Sequence, residues 1–277
     1  MRRRRPGDGD DRRAAALSDR SRRGTFDAFP EAYDRARPTY PAAVFDDLAS
    51  LARLGQGARV VEIGPGTGQA TLPLAERGYR VTGVELGAGL AVLARRKLAA
   101  FPEVEIVNAD FETWEPTEAG FDAAVAFTAF HWIDPELAFE KSARLLRSGG
   151  ALAVVATSHV LREDGDPFFV EVQEDYEAVA PSDENVPPPH PEDAPDLRAE
   201  IAGSGFFGAV EVRRHVWDVT YTADEYIAVL ETYSGHHAFG DEARELLNER
   251  IRRRISARPG GTVRKSYLAT LNVARRR

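Results

Sequence analysis

The 277-residue chain has no cysteine and one methionine. Without thiols there are no disulfides, no thiol nucleophiles and no cysteine-ligated metal centre, and a cytoplasmic location is expected. Long apolar runs are missing as well: nothing approaches the ~18 uninterrupted residues a membrane span requires. The N-terminus is rich in arginine, but no apolar segment follows it, so it does not read as a secretory signal.

A net charge of −8 conceals an asymmetry, because residues 1–23 carry nine Arg against four Asp. The remainder is therefore more acidic than the total. Such a body is a poor general partner for nucleic acid, which needs a concentrated basic face. Arg2–Arg5 and Arg275–Arg277 are the segments that could touch nucleic acid or anionic lipid. With no apolar periodicity, residues 1–24 are expected to form a disordered tail.

The rest of the chain alternates short apolar runs with helical patterns. Pro41 precedes a stripe of Ala42, Val44, Phe45, Leu48 and Leu51 at helical spacing. Strands are predicted at 58–63, 79–84, 104–107, 121–127 and 151–157, with helices at 69–77, 88–100 and 135–146 between them. Continuous apolar strands separated by helices point to a parallel, doubly wound sheet. Residues 160–205 are acidic and Pro-rich and read as loops and short helices. Beyond them come a strand at 210–217, helices at 223–233 and 241–257, and a long strand at 262–274. Four parts follow: the tail 1–24, an N-terminal helical arm 25–57, a core 58–159, and a C-terminal part 160–277 with a helical cap and the last two strands.

The most informative stretch is Val60-Val61-Glu62-Ile63-Gly64-Pro65-Gly66-Thr67-Gly68. Alternate glycines permit a tight turn and let a ligand approach the main chain. In a doubly wound sheet this turn lies at the carboxyl ends of the strands, where ligands bind. A dinucleotide loop has the pattern G-x-G-x-x-G, but here the third glycine comes one residue early and Gln69 follows. Glu85 closes the second strand seventeen residues after Gly68, where an acid can accept hydrogen bonds from both hydroxyls of a ribose.

These residues resemble the class I S-adenosylmethionine (SAM)-dependent methyltransferases, in VVEIGPGTG, in VTGVEL and in Asn108-Ala109-Asp110-Phe111. The likeness covers residues 25–157 well and the rest more loosely. Phe127-Thr128-Ala129-Phe130-His131-Trp132 is similar to a stretch of the trans-aconitate-methyltransferase-like branch, a small-molecule type. The resemblance implies a Rossmann-like, doubly wound seven-stranded α/β sheet, mostly parallel with the last strand antiparallel, carrying helical cap insertions. It implies SAM as cofactor, S-adenosylhomocysteine (SAH) as product, and methyl transfer to an O, N or C nucleophile of a small molecule.

The cofactor residues so implied are Tyr33, Arg37, Glu62, Gly64, Pro65, Gly66, Thr67, Gly68, Glu85, Leu86, Asp110, Phe111, Phe127 and Thr128. Asp110 would bind the adenine amino group and Phe111 the ring; the alternatives are a helix N-cap for Asp110 and core packing for Phe111. Arg37 would pair with the methionine carboxylate. His131 is the catalytic candidate, as a base or as a residue that shapes the pocket. Phe130, His131, Trp132, Tyr233, His236 and His237 are expected at the acceptor, and Lys265-Ser266-Tyr267 is expected to be structural. Adjacent histidines rarely point at one ion, so no metal is expected. A nicotinamide-dependent oxidoreductase, a nucleic-acid methyltransferase and a non-catalytic SAM-binding module stand as alternatives.

Overall fold

In the computed structural model, which describes residues 30–182 and 185–277, seven strands form one sheet in the order β3-β2-β1-β4-β5-β7-β6. They are β1 Arg59–Ile63, β2 Arg80–Glu85, β3 Val104–Asn108, β4 Phe121–Phe127, β5 Leu146–Val160, β6 Phe207–Thr222 and β7 Thr262–Arg276. The first five run parallel to one another, and β7 runs antiparallel between β5 and β6. The expected sheet, with its reversed last strand, is therefore present. The predicted tail 1–24 and the first residues of the arm, 25–29, lie outside the described residues.

Alternation along the strands divides the core into two layers. Val60 of β1 faces Val44, Phe45 and Leu48 of α2 (Ala42–Ala52), which sit on one side of the sheet with Ala123 and Val125 of β4. Val61 and Ile63 face the opposite side, with Ala124, Ala126, Leu145 and Leu152. Burying a side chain such as Phe45 contributes ~1.5–3 kcal/mol. The helical stripe after Pro41 thus becomes the lid of one layer.

The three long strands exceed their predicted lengths. Strand β6 was expected over 210–217 and runs from Phe207 to Thr222; β5 was expected over 151–157 and runs to Val160. The cause is tertiary: β7 pairs along its whole length with β6 and from Ser266 to Arg275 with β5, and extends both beyond the core, through His159↔Tyr267 and Thr222↔Thr262. The helix expected from Gln69 begins only at Thr71 (α3, Thr71–Glu76), because residues 67–70 complete the glycine turn.

The cap is built from α6 Phe168–Glu171, α7 Gln173–Val179, α9 Ala223–Leu230 and α11 Asp241–Ser256, which enclose their own apolar cluster around Phe168, Tyr226 and Ile251. A capping box between Thr222 and Glu225 starts α9 directly at the end of β6. This fixes where the cap departs from the sheet. Among the described residues, no helix is long and apolar enough to cross a membrane.

Candidate active site

The glycine turn leaves β1 with Gly64 and Gly66 at φ of 63° and 59°. A Cβ on Gly64 would stand 2.8 Å from the Ala129 Cβ, whereas one on Gly66 would meet nothing within 4 Å. Gly64 thus allows the turns after β1 and β4 to meet, and Gly66 leaves its side of the turn open. Gly68 has another role, since a Cβ there would press on Leu98 at 3.0 Å, and it does not line the cavity.

Glu85 ends β2 beside the turn. Its carboxylate accepts the backbone N–H of Gly66 and of Gly87, both at 2.8 Å. At the end of β1, Glu62 is 1% exposed and its Oε2 has no hydrogen-bond partner. Burial, reinforced by the Glu85 charge and opposed by Thr71, raises its carboxyl to about 7. A buried acid with an idle oxygen beside a glycine turn fits a cationic ligand group. After β3, Asp110 accepts the backbone N–H of Glu112 at 2.9 Å and starts a turn, while Phe111 is buried in the second core layer. Both also line the cavity.

The arm closes over this turn. Asp34, on α1 (Pro30–Ala36), accepts from the Thr67 hydroxyl and from Lys97 Nζ, each at 2.6 Å, and Gln69 donates to the Asp34 carbonyl at 3.1 Å. Arg37 follows this clamp. Its Nη2 donates to the Thr232 carbonyl at 2.8 Å, its Nε has no partner, and its guanidinium lies 4.5 Å from the Tyr233 ring centroid.

After β4, Thr128 holds φ at 55°, an uncommon conformation for a β-branched residue. Its Oγ1 is hydrogen-bonded to the Tyr40 hydroxyl at 2.9 Å and to Thr157 Oγ1 at 3.0 Å. His131 and Trp132 come next, on a short 3-10 turn, with their rings 4.8 Å apart; His131 is exposed at the open side of the cavity. Phe130, expected at the acceptor, is instead buried against Phe139 at 5.2 Å and does not line the cavity. The 3-10 turn points it inward while His131 points out.

Turn, arm and cap share one cavity of about 510 Å³. Glu62, Glu85 and Asp110 line one end; Tyr176, Tyr226, Tyr233, His236 and Lys265 line the other. His236 Nε2 is hydrogen-bonded to the Tyr176 hydroxyl at 2.9 Å. The side chain of His237, expected here, lies outside the described residues. Among the described residues, no cluster of His, Asp and Glu could hold a metal.

Lys265 and His159 are among the lining residues not anticipated at the site. Lys265 is 1% exposed and donates to the Tyr233 hydroxyl at 3.0 Å. His159, opposite Tyr267 on β5, has a buried Nε2 without a partner; burial, with the Lys265 charge, lowers its pKa to about 2, so the ring is neutral. A signal existed only for Lys265: a cation within an apolar final strand.

The chain is similar to known methyltransferases. Residues 61–154 match the family model described as a methyltransferase domain. An uncharacterized methyltransferase of Mycobacterium tuberculosis is 32% identical over 155 residues, covering 52% of this chain and 61% of the relative. A demethylmenaquinone methyltransferase of Clavibacter sepedonicus is 29% identical over 135 residues, 47% of this chain and 55% of that one. A solved structure from Anaeromyxobacter dehalogenans superposes with a TM-score of 0.60 at 24% identity, over 86% of this chain and 97% of that chain. The phosphoethanolamine N-methyltransferase 2 of Haemonchus contortus, solved with SAM, gives 0.51 at 17% identity, over 90% and 57%.

The fold is that of these solved methyltransferases, and residues 61–154 match a methyltransferase domain. The chain spans about three fifths of the length of the mycobacterial relative it matches.

Proposed function

We propose that this protein is a methyltransferase that binds SAM on the glycine turn and methylates a small molecule enclosed by the cap. The observation that carries this reading is the single cavity joining Glu62, Gly66, Glu85 and Asp110 to the aromatic cap. Its volume suits one cofactor and a small acceptor rather than a polymer groove. SAM supplies a methyl group already activated on a sulfonium, so the protein need contribute only binding, alignment and proton removal.

The residues present fit that cofactor. Glu85 faces a ribose, Asp110 and Phe111 an adenine, and Glu62 the amino group. Arg37 retains a donor for the carboxylate, because its Nε is unpartnered. Tyr33, Pro65, Thr67, Leu86, Phe127 and Thr128 complete the wall. Trp132, Tyr233 and His236 face the acceptor, and His131 orients it at the mouth. Transfer proceeds with the acceptor nucleophile in line with the methyl carbon, and the cap's role is to exclude water and fix that line.

Binding of SAM and SAH to the purified chain, followed by SAH release with candidate acceptors, tests the reading. Absence of SAM and SAH binding by folded protein would overturn it. Binding with no turnover across a broad acceptor panel would favour a non-catalytic SAM-binding module.

A further inference from the structure

Two cations, Lys265 and Arg37, meet at Tyr233 in the cavity wall without a protein carboxylate to neutralise them. Lys265 Nζ has one hydrogen bond, to Tyr233 Oη, and otherwise lies 4.9–5.6 Å from the ring centroids of Tyr226, Tyr233 and Tyr267. Arg37 lies 4.5 Å from the Tyr233 ring centroid and donates only to a backbone carbonyl. Among the described residues, neither cation forms an ion pair with a carboxylate. Buried charges are ordinarily paired, because an uncompensated one is costly in a low-dielectric site. The one acidic proton in contact with both cations is the Tyr233 phenol.

We propose that Tyr233, hydrogen-bonded by Lys265 Nζ and covered at its ring by the Arg37 guanidinium, takes the proton from the methyl acceptor in its ionised form, and that the acceptor is a hydroxyl of phenol-like acidity. This rests on the methyltransferase reading above. Lys265 is the positioning residue: its Nζ fixes the phenolate oxygen and compensates its charge.

The surroundings make ionisation of Tyr233 easier than that of a free tyrosine. Burial opposes ionisation of Tyr233, but the Lys265 and Arg37 charges, with hydrogen bonds from Lys265 and Tyr267, outweigh it and lower the pKa. Its titratable neighbours are Tyr33 on α1, Tyr176 on α7, Tyr221 on β6, Tyr226 on α9 and Tyr267 on β7. Burial raises the pKa of all five, so they stay neutral. His236 is bonded to Tyr176, and His159, neutral, faces Lys265. Of the carboxylates at the glycine-turn end of the cavity, Glu62, Glu85 and Asp110, Glu85 acts on Tyr33.

The chemistry balances without a further reagent. The acceptor O–H gives its proton to Tyr233 Oη as the oxygen lone pair forms the O–CH3 bond. The electron pair of the broken S–CH3 bond stays on sulfur, giving SAH and a methyl ether. The Tyr233 phenol then loses its proton to solvent through the open side of the cavity. Proton transfer between groups of similar acidity is close to balanced, which suits a phenol. A carboxylate would be repelled by the phenolate, and Trp217, Tyr226 and Tyr267 give the cavity an aromatic lining suited to a ring.

The test is a pH titration of tyrosinate absorbance in the SAH-bound full chain, for wild type, Tyr233→Phe, Lys265→Met and Lys265→Arg. One tyrosine is expected to ionise before the rest in wild type, to vanish in Tyr233→Phe, to move to higher pH in Lys265→Met and to be restored in Lys265→Arg. Superimposable wild-type and Tyr233→Phe titrations overturn the proposal, whatever the acceptor. SAH formation is then measured with catechol and with benzoate as probes. Catechol turnover that falls at least ~100-fold in Tyr233→Phe supports it; benzoate turnover unaffected by Tyr233→Phe overturns it; if neither turns over, the titration decides alone. Calorimetry of SAH on the wild-type chain separates the failures, because SAH binding without an early-ionising tyrosine refutes only this proposal.

Discussion

The Glu85 carboxylate accepts the backbone N–H of Gly66 at 2.8 Å, tying the end of β2 to the apex of the turn after β1. One side chain therefore both shapes the glycine turn and offers acceptor lone pairs to a ribose. Its second oxygen holds Gly87, at the start of the next helix.

Glu85→Ala should weaken SAH binding by about 1–3 kcal/mol, since a buried pair of N–H groups and the ligand hydroxyls lose their acceptor together. Glu85→Gln should recover part of this, because its amide nitrogen cannot accept from the second N–H. Calorimetry of the two variants gives the comparison, and wild-type affinity in Glu85→Ala would refute the role.

The two glycines of the turn should respond differently to alanine. Gly64→Ala adds a Cβ 2.8 Å from Ala129 at a left-handed φ, so strain and clash combine. Gly66→Ala meets open space and carries only the backbone cost, ~1–2 kcal/mol. Denaturant unfolding should rank Gly64→Ala well below Gly66→Ala; equal losses would contradict the close approach of the two turns.

Glu62 should make the stability of the free protein depend on pH. Its carboxyl is raised from 4.5 to about 7 by burial, so the unfolded chain ionises first as pH rises. The stabilisation is full below about 4.5, falls across the interval up to about 7 and is lost above it, with a span of ~3 kcal/mol. Glu62→Gln should flatten the curve of melting temperature against pH in that interval. Parallel curves for variant and wild type would contradict the shift.

Much of this site was legible in the sequence because its parts are local. The glycine turn, Glu85 and Asp110 each sit at a strand end that the β–α rhythm already located. Lys265 and His159 were not legible as partners, because their meeting depends on the antiparallel register of β5 and β7, in which His159 opposes Tyr267. Nothing in spacing encodes that register. Phe130 illustrates the opposite error: adjacency to His131 suggested a shared role, and a 3-10 turn sent the two rings in opposite directions.

Thr128 offers a test of stored strain. Thr128→Ala keeps the left-handed φ and loses the bonds to Tyr40 and Thr157, whereas Thr128→Gly loses the same bonds but relieves the backbone. Thr128→Gly should therefore be at least as stable as Thr128→Ala, against the usual order of these substitutions. Thermal melts decide it, and a clearly weaker glycine variant would show that the position is unstrained.

His131 and Tyr233 divide the remaining chemistry. On a verified acceptor, His131→Gln should keep turnover within about tenfold, and Tyr233→Phe should lose about 10²–10⁴-fold. The reverse ranking would make the exposed histidine the base.

The central claim, that the glycine turn and its acids form a SAM site, is tested most directly by calorimetry of SAH with the purified full chain near neutral pH. The account predicts one site per chain with a dissociation constant in the micromolar range, about −8 kcal/mol. Folded protein that takes up no SAH would contradict it.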